Sequence, residues 1–167
     1  MTNQVFKEMQ SYKGTWVMYL ILVIELPIIL LVSTFIWNTE EGTNEGIWGI
    51  GAVILIVSLV FMFLMIIRLE TRIDDYGVKF RFFPFISSWR SFPRTQIREI
   101  QVINYSPLTD YGGWGLKGNR TTKAYSIIGD EGILLDIGEK KKIMIGTQRG
   151  QELKAFLQDW LDSEEYG

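Results

Sequence analysis

Two long apolar runs fill most of the first 67 positions, and an alternating pattern of apolar and polar residues follows them. The first run covers residues 16–37 and contains one charged side chain, Glu25, while the second covers residues 47–67 and contains none. Each run matches the ~20 residues that a helix needs to cross the apolar core of a bilayer. A cleaved signal peptide is the alternative for the first run, but no small-x-small cleavage pattern follows it and a second run comes after. The pattern predicts a membrane α-hairpin of two transmembrane helices.

The basic residues near these runs predict how the hairpin is oriented. Lys7 and Lys13 precede the first run, and Arg68 and Arg72 follow the second. The connector between the runs carries three glutamates and no lysine or arginine. Because lysine and arginine concentrate on the cytoplasmic side of membrane proteins, both termini are expected in the cytoplasm. Residues 1–67 are thus predicted to form an N-terminal segment and a two-span membrane part.

From Arg68 onward the apolar positions recur every second residue, as they do in half-buried strands. The segment "LETRID", an Asp-Asp-Tyr-Gly turn at 74–77 and "VKFRFFPF" predict a β-hairpin. A short strand near 89–92 and four longer segments complete a set of six or seven antiparallel strands; the longer ones are 97–105, 121–128, 132–138 and 141–146.

The last part of the chain has the spacing of an amphipathic helix. Its apolar positions fall at i, i+3, i+4, i+7 and i+8, namely Leu153, Phe156, Leu157, Trp160 and Leu161, which gives one apolar stripe. Thr147 is suited to cap the helix start. Residues 68–167 are therefore predicted to form an all-β sandwich or barrel that a C-terminal α-helix caps.

This order of elements carries a resemblance to a known family. The segment 68–162, with "YGGWGLK" at 111–117, "KKIMIGTQRGQEL" at 141–153 and the helix containing Trp160, resembles the bacterial pleckstrin-homology-like (PH-like) domains found beside transmembrane hairpins in small membrane proteins. The resemblance implies a cytoplasmic PH-like domain, a location in the bacterial cytoplasmic (inner) membrane as a multi-pass protein, and a role as a scaffold that binds lipids or proteins. It implies no catalytic residue.

The charged residue inside the first run needs a physical explanation, because an ionised carboxylate at mid-bilayer costs ~3 kcal/mol or more. Glu25 and Ser58 are at the same depth in an antiparallel hairpin. Glu25 is expected to be protonated and hydrogen-bonded to Ser58, to the backbone carbonyl that Pro27 frees, or to a neighbouring subunit. The alternatives are a polar lock between helices and a proton-linked or partner-binding site in the membrane.

The glycine-rich stretch at 110–120 formally matches G-x-G-x-x-G between Gly113 and Gly118. A dinucleotide site requires a helix directly after the glycines, whereas "NRTTKAYSII" is strand-like. We interpret the stretch as a loop, which either folds Trp114 and Leu116 into the sandwich, with glycines at positive φ, or forms the rim of a binding groove. The candidate binding residues are Gly112, Gly113, Trp114, Gly115 and Lys117.

A second binding hypothesis concerns lipid head groups. The first hairpin loop, at 74–77, is acidic and therefore does not suit a phosphoinositide. A basic cluster would suit anionic head groups if folding gathered its members, which are Arg90, Arg94, Lys117, Arg120 and Lys123.

The amino-acid composition excludes several classes of catalytic and metal-binding site. The chain has no cysteine and no histidine, which excludes disulfides, thiolate or imidazole metal sites and Ser-His or Cys-His catalysis. Residues 68–167 carry 15 basic and 14 acidic side chains, a net charge of +1, so nucleic acid is not an expected partner. No catalytic residue, metal or cofactor is predicted, and the chain is not expected to be an enzyme.

Two functions remain. The leading hypothesis is a non-enzymatic membrane protein whose cytoplasmic domain binds a protein or membrane partner, for instance at an exposed strand edge. The alternative is a small transporter or channel subunit in which oligomerised hairpins use Glu25. The expected partners are the lipid bilayer and either a second protein or further copies of the chain.

Overall fold

The computed structural model describes residues 5–39 and 44–162, which form two compact units. The helical unit begins at Tyr12 and ends at Ile67. The β unit combines the described residues before Tyr12 with those from Arg68 onward.

The helical unit consists of two long helices, α1 (Trp16–Thr39) and α2 (Asn44–Ile66). No residue in the most apolar 18-residue stretch of either helix is buried. The helices approach closely near Gly49, where a Cβ atom would lie 3.5 Å from Ile36 Cγ2. The prediction of two helices that are long and apolar enough to span a membrane is confirmed.

The β unit contains two sheets in its described residues. The first sheet has the antiparallel order β1-β2-β3-β4, with β1 Phe6–Ser11, β2 Arg68–Asp74, β3 Gly77–Phe83 and β4 Ile86–Pro93. The second has the order β5-β8-β9-β7-β6, with β5 Glu99–Asn104, β6 Gly115–Gly118, β7 Thr122–Ser126, β8 Glu131–Asp136 and β9 Lys142–Thr147. A short helix α3 (Pro107–Tyr111) precedes β6, and α4 (Gly150–Asp162) follows β9.

The alternating side chains of β2 and β3 build the core between the sheets. Leu69 and Ile73 of β2 are fully buried, as are Val78 and Phe80 of β3, because successive side chains of a strand point to opposite faces. The Phe80 ring lies 4.7 Å from the ring of Tyr125 on β7. This aromatic contact joins the two sheets, and the predicted hairpin at 69–85 is confirmed.

Strand β1 corrects the domain boundary that the sequence predicts at residue 68. The sequence assigns residues 1–67 to one membrane part, but β1 pairs with β2 along its whole length, from Phe6 opposite Ile73 to Ser11 opposite Arg68. The helical unit is therefore an insertion between two paired strands of the β unit.

Polar side chains of β1 also join it to the end of β9. Glu8 is buried, and its carboxylate accepts hydrogen bonds from Thr147 Oγ1 at 2.6 Å and from the Gln148 backbone N–H at 2.8 Å. The Gln10 side-chain amide donates to the Gly146 carbonyl at 2.7 Å. The first strand of the sequence thereby fixes the last strand and the approach to α4.

The strand pairing differs from the antiparallel arrangement that the sequence predicts. Strand β7 lies beside β9 in parallel, with Thr122 opposite Lys142. The described residues contain nine strands, two more than the larger predicted number, because β1 and β6 are added. The helix α3 and the strand β6 both occur in the stretch predicted as a loop.

Helix α4 forms where the sequence predicts it. Leu153, Leu157 and Trp160 are buried, whereas Leu161, at the end of the predicted stripe, is 43% exposed. Thr147 contributes to the helix start, since its Oγ1 accepts from the Arg149 N–H at 3.0 Å. The helix contacts both sheets, through the Phe6 and Phe156 rings at 5.9 Å and through residues of β5.

Candidate functional site

A groove lies between the start of β5 and the end of α4. It has a volume of about 240 Å3. We call it the β5 groove; its lining residues are Arg94, Ile97, Arg98, Glu99, Ile100, Trp160 and Leu161.

One border of the β5 groove is the edge of a sheet. Strand β5 is the outermost strand of the second sheet and pairs with β8 from Glu99 to Asn104. Among the described residues, no strand pairs with its other side. An edge of this kind presents backbone N–H and C=O groups to which another extended chain can hydrogen-bond.

The helical border of the groove is held in place by Trp160. Its indole N–H donates to the Asp74 carbonyl at 3.0 Å, and the Arg94 guanidinium lies 3.9 Å from the centre of its ring. Arg94 also donates to the Trp160 carbonyl. Since Asp74 and Arg94 hold Trp160 by these three contacts, the exposed Leu161 beside it lies on a rigid support.

Charges around the groove are partly neutralised. Lys142 Nζ donates to Glu99 Oε2 at 3.0 Å and lies 3.4 Å from Asp136 Oδ2. The hydrogen bond to Glu99 raises the pKa of Lys142, and the Gly138 N–H, which donates to Asp136 at 2.9 Å, lowers the pKa of Asp136. With Glu99 paired in this way, the exposed Arg98 gives the rim a positive character.

A larger cavity, of about 410 Å3, lies on the outer face of the first sheet. Two of its charged side chains, Glu70 and Arg72, have ion-pair partners within the sheet. Glu70 accepts two hydrogen bonds from Arg81, at 2.7 and 2.9 Å, and Arg72 pairs with Asp74 at 3.2 Å. The Trp89 ring lies 4.8 Å from the Arg81 guanidinium. We interpret this face as a surface network of ion pairs.

The sequence-predicted loop at 112–117 adopts the backbone that its glycines permit. Gly112, Gly113 and Gly115 have φ values of 73°, 123° and 107°, a region that other residues rarely adopt. Trp114 is half-buried and donates to the Gly129 carbonyl at 2.9 Å. The prediction of positive φ is confirmed, and Trp114 is an anchor of the loop.

The same loop lies far from the β5 groove in the strand order. Gly115 to Gly118, including the candidate Lys117, form β6, which is the opposite edge of the second sheet. Leu116 is 48% exposed and does not enter the core. A strand follows the glycines, so the helix that a dinucleotide-binding turn requires is missing from this described segment.

Arg94 is separated from the other members of the predicted basic cluster that are placed on or beside β6 and β7. Arg94 lies against Trp160 at the β5 groove. The Arg90 guanidinium lies 3.4 Å from the Tyr125 hydroxyl, Lys117 is on β6, and Lys123 Nζ is 4.0 Å from Glu139. Within the described residues, no group of three or more carboxylates is placed to hold a metal ion.

The structure also brings together only part of the intramembrane polar site predicted in the hairpin, which consists of Glu25, Pro27 and Ser58. Pro27 lies inside α1, Glu25 is half-buried and Ser58 is exposed. No hydrogen bond between described residues joins Glu25 to Ser58. The hydrogen bond between Glu25 and Ser58 that the sequence suggests is therefore not formed in the described hairpin.

Sequence reasoning identifies the elements of the β5 groove but not the groove itself. It predicts both β5 and α4, and it places Leu161 on the buried stripe. One sequence signal for the exposure of Leu161 was available, namely that it is the last apolar residue of the helix and is followed by polar residues. Comparison with protein-family models, curated proteins and solved structures gave no match to this chain.

Proposed function

We propose that this chain is an integral membrane protein whose β unit is a non-enzymatic binding module for an extended segment of a protein partner. The helices support the membrane part of the proposal. Their 24 and 23 residues are long enough to cross a bilayer, and their apolar stretches are exposed in the described protein. A bilayer would cover this surface, which is unfavourable in water.

The flanking charges support a cytoplasmic β unit. Lys7 and Arg68, on the paired strands β1 and β2, are on the basic side of the two helices, and lysine and arginine favour the cytoplasmic side. The proposed location is the bacterial cytoplasmic membrane, with both termini inside.

The strand order supports the PH-like assignment. From Arg68 onward the β unit has the predicted strands β2, β3, β4, β5, β7, β8 and β9 and then the C-terminal helix α4, which is the order on which the resemblance rests. The β unit departs from that order by adding β1 and β6 and by pairing β7 with β9 in parallel.

The observation that carries the binding function is the outer edge of β5 beside the exposed Leu161 of α4. A partner strand that pairs with β5 gains backbone hydrogen bonds, and one of its apolar side chains gains contact with Leu161 and Trp160. An acidic side chain of the partner fits the exposed Arg98 at the rim. Backbone pairing supplies affinity in this arrangement, and the side-chain contacts supply specificity.

The test compares two leucines of similar exposure: Leu161 on α4, beside the β5 edge of the second sheet, and Leu116 on β6, the opposite edge of that sheet. Leu161→Asp places a charge in the β5 groove, and Leu116→Asp places the same charge on β6. The tagged full-length proteins are extracted into native-lipid nanodiscs, and copurifying proteins are quantified by mass spectrometry. We expect a stoichiometric partner with the parent protein and with Leu116→Asp, and a loss of about tenfold or more with Leu161→Asp, since burying an unpaired charge costs more than ~1.4 kcal/mol.

Two outcomes contradict the proposal. Purification of the parent protein without a partner argues against a binding module. Loss of the partner with Leu116→Asp alone moves the site to the glycine-rich loop and β6.

Glu25 supports a second candidate function, that of an oligomeric channel or transporter subunit. The half-buried Glu25 side chain makes no hydrogen bond to another described residue, and a carboxyl group in an apolar helix requires a polar partner. A second copy of the hairpin supplies one. A path across the membrane would then run between hairpins, since two helices alone do not enclose one.

Native mass spectrometry of the full-length protein in nanodiscs tests this candidate. We expect an oligomer in the parent protein, dissociation to monomers with Glu25→Leu, and retention of the oligomer with Glu25→Gln, because glutamine keeps a hydrogen-bonding group. A monomeric parent protein rules the candidate out.

A further inference from the structure

One end of the first sheet is joined to both helices. Ser11 pairs with Arg68, and Arg68 pairs with Phe83, so the last residue of β1, the first of β2 and the last of β3 are neighbours. In the sequence, Arg68 follows the end of α2 by two positions, and α1 begins five positions after Ser11. This end of the sheet is therefore close to the point where the chain leaves the helices.

The turn between β3 and β4 is at this same end and is apolar. It consists of Pro84 and Phe85, between Phe83 on β3 and Ile86 on β4. Phe85 is 54% exposed, and its ring stacks on the buried Phe82 at 5.9 Å. The ring is consequently held at the surface by the core beneath it.

A cation accompanies these rings. The Arg68 guanidinium lies 5.0 Å from the centre of the Phe83 ring, and its Nε lies 3.3 Å from Glu70 Oε1. An arginine near an exposed aromatic ring suits a membrane interface, where the ring enters the apolar region and the guanidinium stays at the level of the lipid head groups.

The opposite end of the same sheet has a different character. Its turn, between β2 and β3, contains Asp74, Asp75 and the exposed Tyr76. Asp74 forms ion pairs with Arg72 and Lys79 at 3.2 and 3.3 Å. The sheet thus presents the exposed Phe85 ring at the end joined to the helices, and an ion-paired polar turn at the other end.

We infer that Phe85 docks into the interfacial region of the bilayer that the helices span. This inference rests on the proposed membrane function. Paired strand residues lie about 5 Å apart, and two further residues add at most about 7 Å, so the Phe85 backbone is within about 12 Å of Arg68. The head-group region on each side of a bilayer is about 5–8 Å thick, which the Phe85 side chain can reach. The occupant of this surface is lipid.

Because the chain contains no cysteine, each cysteine introduced by substitution is the only site that a thiol-reactive label can modify. Single cysteines are introduced as Ser87→Cys beside the turn, Tyr76→Cys at the opposite turn and Leu55→Cys in the middle of α2. Each full-length protein is labelled with bimane and reconstituted into phosphatidylcholine–phosphatidylglycerol vesicles whose acyl chains carry bromine near the head group or near mid-chain. Ser87 is used because it leaves Phe85 in place.

We expect head-group-proximal bromine to quench the label at 87 severalfold more than the label at 76, and mid-chain bromine to quench the label at 55. Adding Phe85→Ser to the Ser87→Cys protein is expected to remove most of the quenching at 87. Equal quenching at 87 and 76, or quenching at 87 that Phe85→Ser leaves unchanged, overturns the inference while the signal at 55 preserves the membrane proposal. An unquenched label at 55 overturns both.

Discussion

A fragment comprising residues 68–167 is expected not to fold as a stable domain, although the sequence pattern makes residue 68 the natural place to cut. The fragment lacks β1, so Thr147 Oγ1 and the Gln148 N–H lose the Glu8 carboxylate. Hydrogen bonds to a charged group contribute about 1.5–3 kcal/mol each, and the buried Phe6 side chain contributes about another 1.5–3 kcal/mol. Together these losses approach the whole stability of a typical domain, about 5–15 kcal/mol.

The matched comparison restores β1 without the helices. Residues 1–11 are joined to residues 68–167 through Asn-Gly, because Ser11 and Arg68 are paired and a two-residue turn of this type closes a hairpin. Urea unfolding, followed by circular dichroism, is expected to show a cooperative transition for the fused protein and none for the fragment. Equal transition midpoints would show that β1 is dispensable.

The second large effect is expected from Trp160→Ala, which should lower the free energy of unfolding of the β unit by about 3–5 kcal/mol. Trp160 is 5% exposed, donates to the Asp74 carbonyl and carries the Arg94 guanidinium on its ring. The substitution leaves a large cavity, an unpaired buried carbonyl and a displaced arginine. It also removes the rigid wall of the β5 groove, so partner binding should be lost together with stability.

Two control variants separate these contributions. Urea unfolding midpoints are measured for Trp160→Ala and for both controls, each made in the fused protein. Trp160→Phe keeps an aromatic ring and loses the hydrogen bond to Asp74, so we expect a smaller loss of about 1–3 kcal/mol. Trp89→Ala removes an exposed tryptophan from the outer face of the first sheet, with an expected loss below about 1 kcal/mol. A Trp160→Ala loss no larger than that of Trp89→Ala would contradict the role of Trp160.

The strands that the sequence predicts are those whose inner faces are apolar. β2 and β3 alternate cleanly because Leu69, Ile73, Val78 and Phe80 all point into the core. β1 has no such pattern: two of its inward positions are Glu8 and Gln10, and Met9 points outward and is 69% exposed. Its inward polar side chains hydrogen-bond to β9, more than 130 positions away in the chain: Glu8 accepts from Thr147, and Gln10 donates to the Gly146 carbonyl. No local signal therefore marks it as a strand.

The same distinction between local sequence patterns and long-range contacts applies to the candidate sites. The positive φ values at 112, 113 and 115 could be predicted, because glycine density in a short segment is a local property. The exposure of Leu161 could not, since the helical stripe does not reveal where the helix extends past the sheet that covers it. The separation of Arg94 from Lys117, which lie at opposite edges of the second sheet, likewise depends on strand order.

The sequence alone determined the two apolar helices, the periodic strands from 69 onward and the amphipathic C-terminal helix, because hydrophobic periodicity and helix length are local properties that neighbouring residues define. Only the tertiary structure decided that β1 belongs to the β unit, that β7 runs parallel to β9, and that the edge of β5 borders a groove at the end of α4. Each of these depends on contacts between segments distant in the chain, where a buried polar group or a strand edge is satisfied by a partner that no local pattern specifies.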